Sequence, residues 1–221
     1  MTKPEKLYKE IAKKIRLYES GPAVDSMERM GLKYPKNHGV SILHLRQIAQ
    51  NYKSNSQLAA HLRQRSIREM RILAEMIENP KTVTPELAEN IVKSIDTGEL
   101  AEQHSMNLFA KLDFAFEKAS EWIQTDQTFI ITTGFIVYQR LAMQKKDIDD
   151  ILFEQFFPFA EKHSENKSIH VRKAIARALR QAGMRNENLK LKVINITKII
   201  QQKESNLTNI IGEEVIPLLE I

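Results

Sequence analysis

The chain has 221 residues, 42% hydrophobic and 28% charged, with a net charge of +5 and no cysteine. That length suffices for one domain or one continuous array with a substantial core, and the missing cysteines exclude disulfides, thiolate metal sites and thiol nucleophiles. The charged start MTKPEKLYKEIAKK does not read as a secretory signal, no apolar run nears the roughly 18 residues of a membrane span, and a cytoplasmic location is expected.

A 3.6-residue apolar period predicts helices over residues 3–17, 41–53, 55–64, 66–78, 84–95, 97–112, 114–125, 127–144, 146–163, 167–183, 186–203 and 207–219. Residues 18–40, with Gly21, Pro22, Gly31, Pro35 and Gly39, read as a long irregular connection. Thr84-Pro85-Glu86 has the hydroxyl, proline and acid of a helix start. Asp96 and Glu99 have capping-box spacing, and Gly183 stands where a C-terminal cap is expected. No Asn-Gly or Asp-Gly hairpin signal appears, so the fold class is all-α with sheet content near zero. Short helices with tight links predict antiparallel pairs stacked into a superhelical α-solenoid, with a globular bundle as the competing arrangement.

Charge is unevenly spread. Residues 41–73 carry +5, residues 74–126 carry −7 and residues 161–203 carry +8. In the helix predicted over 167–183, Val171, Ala174, Ile175, Ala178, Leu179 and Ala182 form the buried stripe. Lys173, Arg177 and Arg180 fall opposite, Arg172 lies on the flank, and Arg185, Lys190 and Lys192 follow; no acid interrupts the run from Lys167 to Arg185. A solvated helix face usually mixes signs, whereas a row of long cations fits a phosphate backbone whose charges repeat about every 1.7 Å of duplex axis. Arg68 and Arg71 are the corresponding candidates in the first basic stretch.

Five short blocks in order carry a resemblance: GVSILHLRQIA (39–49), MRILAEMIENPKTVT (70–84), MNLF (106–109), FEKASEW (116–122) and ARALRQAGMRN (176–186). They resemble the AlkD-like DNA alkylation repair family, HEAT-like repeat alkylpurine DNA glycosylases, over roughly residues 39–200; residues 1–38 are least family-like. The resemblance implies a single HEAT-like domain over 1–221, with a basic concave face holding duplex DNA. It also implies association with the bacterial nucleoid and hydrolysis of the N-glycosidic bond of N3- or N7-alkylated purines without metal or other cofactor; the oligomeric state stays open, with a monomer favoured. An aspartate would stabilise the oxocarbenium-like sugar, flanked by two tryptophans and helped by an arginine. Those positions are occupied here by Glu102, by Gly98 and Arg177, and by Thr132. Only Glu102 keeps the chemical class, and a misplacement of about 1 Å can cost on the order of 100-fold in rate.

The remaining constellations carry less. None of the six histidines stands in a metal-binding pattern; Glu102 and His104, two apart, point to different sides of a helix and read as surface groups. With no strand there is no phosphate-cradling loop, so no nucleotide cofactor is expected. Trp122 reads as a packing residue. Phe153, Phe156, Phe157 and Phe159 read as core, with Phe156 or Phe157 partly exposed. Three functions remain open: a glycosylase using Glu102, a non-excising binder of damaged, bent or branched DNA, and a helical scaffold for an acidic protein surface.

Overall fold

The computed structural model describes residues 2–144, 148–203 and 205–219, with side chains as far as Pro217. The chain divides into two compact units, residues 1–84 and 85–221. Among the described residues there is no strand, only an isolated parallel bridge between Lys36 and Ile67.

The first unit begins with α1 (Lys3–Leu17), whose Thr2 cap accepts from the Glu5 N–H and whose buried residues, Ile11 and Ile15, lie one turn apart. The predicted irregular connection instead contains α2 (Gly21–Arg29), started by the Ser20 hydroxyl, which accepts the Ala23 N–H at 3.3 Å, with a proline in the first turn. Next come α3 (Ile42–Ala49), a 3-10 extension (Gln50–Tyr52), α4 (Ser56–Arg63) and α5 (Arg68–Ile77). α4 packs on both α5 and α1, and α3 packs on α5. The loop before α3 is fastened from α5. The buried Glu69 carboxylate accepts the N–H groups of His38 at 3.1 Å and Val40 at 3.3 Å, and Arg68 donates to the Val40 carbonyl at 2.9 Å. Gly39, between those two amides, has φ +69°, and a Cβ there would stand 2.2 Å from the Ser20 carbonyl oxygen. Gly39→Ala therefore meets both positive-φ strain and fixed backbone, and should lower stability by about 1–3 kcal/mol in urea unfolding; an unchanged midpoint would refute this account.

The second unit runs α6 (Pro85–Lys93), α7 (Gly98–Asn107), a 3-10 turn (Phe109–Lys111), α8 (Ala115–Trp122), α9 (Thr128–Gln144), α10 (Ile151–Glu154), α11 (Phe157–Lys162), α12 (Ile169–Gly183), α13 (Glu187–Gln201) and α14 (Asn209–Leu219). α9 packs against α7, α8 and α12, and α12 also packs against α13 and α14. The six apolar residues expected on the buried stripe of α12 are all at most 2% exposed. Trp122 is a packing residue, edge-on to Phe109 at 4.8 Å, with its indole N–H donating to Glu89 at 3.0 Å.

Local signals moved by a residue or two. The cap of α7 is Thr97, whose hydroxyl accepts the Leu100 N–H at 3.2 Å. Gly183 is still helical, and the cap residue is Met184. The helix predicted over 146–163 begins outside the described residues at 146 and 147, and its remainder divides into α10 and α11, where Pro158 sits in the first turn of α11. Proline fits a helix start and disrupts a helix interior, which favours division there. Phe156 and Phe157 are both buried.

His163 is buried, and its Nε2 donates to the Ile123 carbonyl at 2.8 Å. Burial lowers its pKa below the ordinary 6.5, with the carbonyl contact offsetting this only in part. The unfolded chain thus takes up a proton near pH 6.5 that the folded chain refuses, so this group subtracts stability as pH falls through that value. The stability advantage of the wild type over His163→Gln should shrink between pH 7.5 and pH 5.5; an advantage that grows on acidification would reverse the assignment.

Candidate nucleic-acid interface

α9 supports the site. It is a 17-residue helix with a single charged side chain, Arg140, and its apolar faces bury it against α7 and α12. α7 and α12 meet beside it at two points. Arg177 Nη1 donates to Glu102 Oε1, and a Cβ on Gly98 would stand 2.7 Å from His170 Nδ1. α7 and α12 both pack on α9, and these two side-chain approaches bring positions 98 and 102 of α7 close to 170 and 177 of α12. Arg140 adds a second cation, its Nη2 lying 3.8 Å from Glu102 Oε2.

Three of the four positions compared with the family's catalytic set, Gly98, Glu102 and Arg177, are therefore neighbours. The fourth, Thr132, is buried and donates to the Thr128 carbonyl within its own helix at 2.7 Å. At position 98 there is no room for any side chain while His170 occupies its place, tilted against Phe129 with ring centroids 5.5 Å apart. Glu102 is at the edge of the buried side of α7, with its side chain 28% exposed. His104 differs from expectation: it is only 2% exposed, inside the core rather than on the surface.

The cations expected to meet phosphate have different environments. Lys173 is exposed and Arg180 half-buried on α12, and no described ion pair holds either one. Arg177 lies between them in sequence and faces Glu102. Arg172 closes the loop before α12 by donating to the carbonyls of Asn166 at 2.5 Å and Lys167 at 3.0 Å. Arg185 donates to the carbonyls of Ala142 at 3.3 Å and Ile148 at 2.9 Å, and its guanidinium lies 4.2 Å from the Phe153 ring centre. It braces the end of α9. Lys192 pairs with Glu154 at 2.6 Å, and Lys190 is 3.9 Å from Glu187. In the first unit Arg68 is 1% exposed and holds the Val40 loop, and Arg71 is half-buried and already partnered. Burial and internal bonding thus occupy Arg68, Arg185 and Thr132; along α12, Lys173 is exposed, Arg177 is half-buried and paired with Glu102, and Arg180 is half-buried. Sequence reasoning overlooked Arg140 and His170; the signal for Arg140 was a lone charge in an otherwise uncharged helix.

The family model for the DNA alkylation repair enzyme matches residues 11–207. The chain belongs to the DNA alkylation repair enzyme family. The match takes in most of the N-terminal stretch that looked least family-like. A solved structure, from a family of proteins related to the HEAT-like repeat DNA glycosylases with affinity for branched DNA structures, is similar with a TM-score of 0.78 and 16% identity; the match covers 87% of this chain and 82% of that one. That likeness shows a HEAT-like repeat fold for this DNA alkylation repair family member. No curated protein matches the chain. Among the described residues no group of three or more histidine or acidic side chains is placed to hold a metal, and no helix is long and apolar enough to cross a membrane.

Proposed function

We propose that this member of the DNA alkylation repair family binds DNA through Lys173, Arg177 and Arg180 on α12, and that it does not excise alkylated purines with Glu102. The observation that carries this reading is the Arg177–Glu102 contact. An oxocarbenium-like sugar is stabilised by a carboxylate whose negative charge is available to it. Here Arg177 lies on that carboxylate and Arg140 nearby, so the local charge is positive, which suits phosphate better than a cationic sugar. The absent side chain at Gly98 and the guanidinium at 177 also remove the stacking surfaces that would exclude water.

The HEAT-like relative's affinity for branched DNA makes branched, nicked and intact duplexes the ligands to compare. Affinity should fall as salt rises, with log K linear in log salt. The double change Lys173→Gln, Arg180→Gln should flatten that slope by about two units, roughly 0.9 per lost phosphate contact. Single-turnover incubation with duplex containing 7-methylguanine should release base at the spontaneous rate. Release that Glu102→Gln abolishes would instead establish the glycosylase reading. Absence of salt-dependent DNA affinity would favour the scaffold for an acidic protein surface.

A further inference from the structure

A groove of about 360 Å³ opens in the first unit between the end of α1 and α3, lined by Lys14, Leu17, Tyr18, Gln47, Ile48 and Asn51. We propose that it is a binding site for one unpaired nucleotide of a nucleic-acid strand, separate from the cations of α12.

An aromatic surface is already assembled there. Tyr18, which caps α1 and is 41% exposed, lies nearly parallel to His44 with ring centroids 4.1 Å apart and an interplanar angle of 18°. His44 is steadied by the Ser41 hydroxyl, 3.2 Å from its Nδ1. The pair presents a rigid, wettable π-surface, and base stacking on such a surface tolerates any base. Leu17, 79% exposed beside it, adds apolar area that a base or sugar would remove from water.

The polar lining has matching chemistry. Gln47 and Asn51 are exposed and four residues apart on α3 and its 3-10 extension, so they share one side. Each amide offers a donor and an acceptor, the pair needed for a base edge. Lys14 stands one helical turn before Tyr18, its ammonium 5.0 Å from the Tyr52 ring centre. Lys13 and Arg16 are exposed nearby on α1, and no acid lines the groove. Stacking surface, amide edges and cation together match the face of a base, its edge and the phosphate of one nucleotide. The volume lies at the small end of ligand sites, where a base with its sugar belongs.

The test uses the full chain and a single-stranded hexathymidylate carrying one 2-aminopurine, followed by fluorescence. Binding should quench the probe. Tyr18→Ala should weaken binding on the order of tenfold without altering its salt slope, and Tyr18→Phe, which keeps the ring, should retain wild-type affinity. Lys14→Gln should flatten the slope by about 0.7 unit, the value for a single-strand phosphate contact. Wild-type protein that does not bind the hexamer, or Tyr18→Ala that binds it as the wild type does, overturns the proposal. Either result leaves the α12 reading intact, because that is tested separately on intact duplex with the Lys173 and Arg180 changes.

Discussion

Replacing Arg63 by alanine should lower the stability of the chain by about 3–5 kcal/mol, the cost expected when one partner of a buried ion pair is removed. Arg63 Nε and Nη2 donate to the two oxygens of Glu75 at 2.8 and 3.0 Å, and Nη2 also donates to Glu78 at 2.6 Å. The two carboxylates have side chains only 1% exposed. Burial alone would disfavour the charge on Arg63, yet the hydrogen bonds and attraction of its two acids outweigh burial and raise its pKa. Burial raises the pKa of Glu75 above the ordinary 4.5, and Arg63 restrains that rise. An acid with a raised folded-state pKa keeps its proton to higher pH than in the unfolded chain, so stability falls as pH climbs from 4.5 through the folded value. Without Arg63 that window widens, and the deficit of Arg63→Ala should be smaller at pH 5 than at pH 8. Adding Glu75→Gln should return part of the loss. Arg65→Ala serves as the control. Arg65 meets Glu5 at 3.4 Å with both side chains about a third exposed, and its loss should cost less than about 1 kcal/mol. Urea unfolding of the four proteins at both pH values decides the matter; equal costs for Arg63 and Arg65 would mean that burial does not set the strength of these pairs.

The same contrast explains what the sequence made legible. Helix positions followed from the apolar period best in α12, which buries one continuous apolar stripe, because there the period records burial directly. The errors arose where a local signal had two readings. Ser20-Gly21-Pro22 looked like a break, but a hydroxyl followed by proline also begins a helix, and α2 forms there. Asp96 and Thr97 both qualify as caps, and the hydroxyl of Thr97 is the one seated on the Leu100 amide. For the site, the face of each cation could be read from helix geometry, but its partner could not. Arg68 anchors a loop 28 residues away and Arg185 the end of a helix 43 residues away, and only tertiary structure makes such pairs adjacent. Glu102 and Arg177, 75 residues apart, were singled out by family position, and their contact changes the meaning of both. A carboxylate that keeps the chemical class of the family's acid and an arginine in the place of a ring together form an ion pair.

Because of that pairing, Glu102→Gln should strengthen DNA binding. In the free protein Arg177 faces Glu102, so a phosphate must displace the carboxylate before it can use the guanidinium. The two side chains are 43% and 28% exposed, and a pair this accessible to solvent is worth at most about 1 kcal/mol. Removing the carboxylate's charge should therefore raise duplex affinity on the order of fivefold at moderate salt. It should also steepen log K against log salt by about one unit, since Arg177 then neutralises a phosphate without first giving up an internal partner. Arg177→Gln should do the reverse only weakly, because the wild-type residue is already half-engaged. Glu102→Gln combined with Arg177→Gln should bind like Arg177→Gln alone, since the carboxylate acts on phosphate mainly through the guanidinium. A catalytic Glu102 predicts a different outcome: affinity for intact duplex little changed, and release of 7-methylguanine lost. Titration of intact duplex at several salt concentrations, beside single-turnover base release, separates the two. Weaker binding by Glu102→Gln would show that the carboxylate positions Arg177 for DNA instead of competing for it.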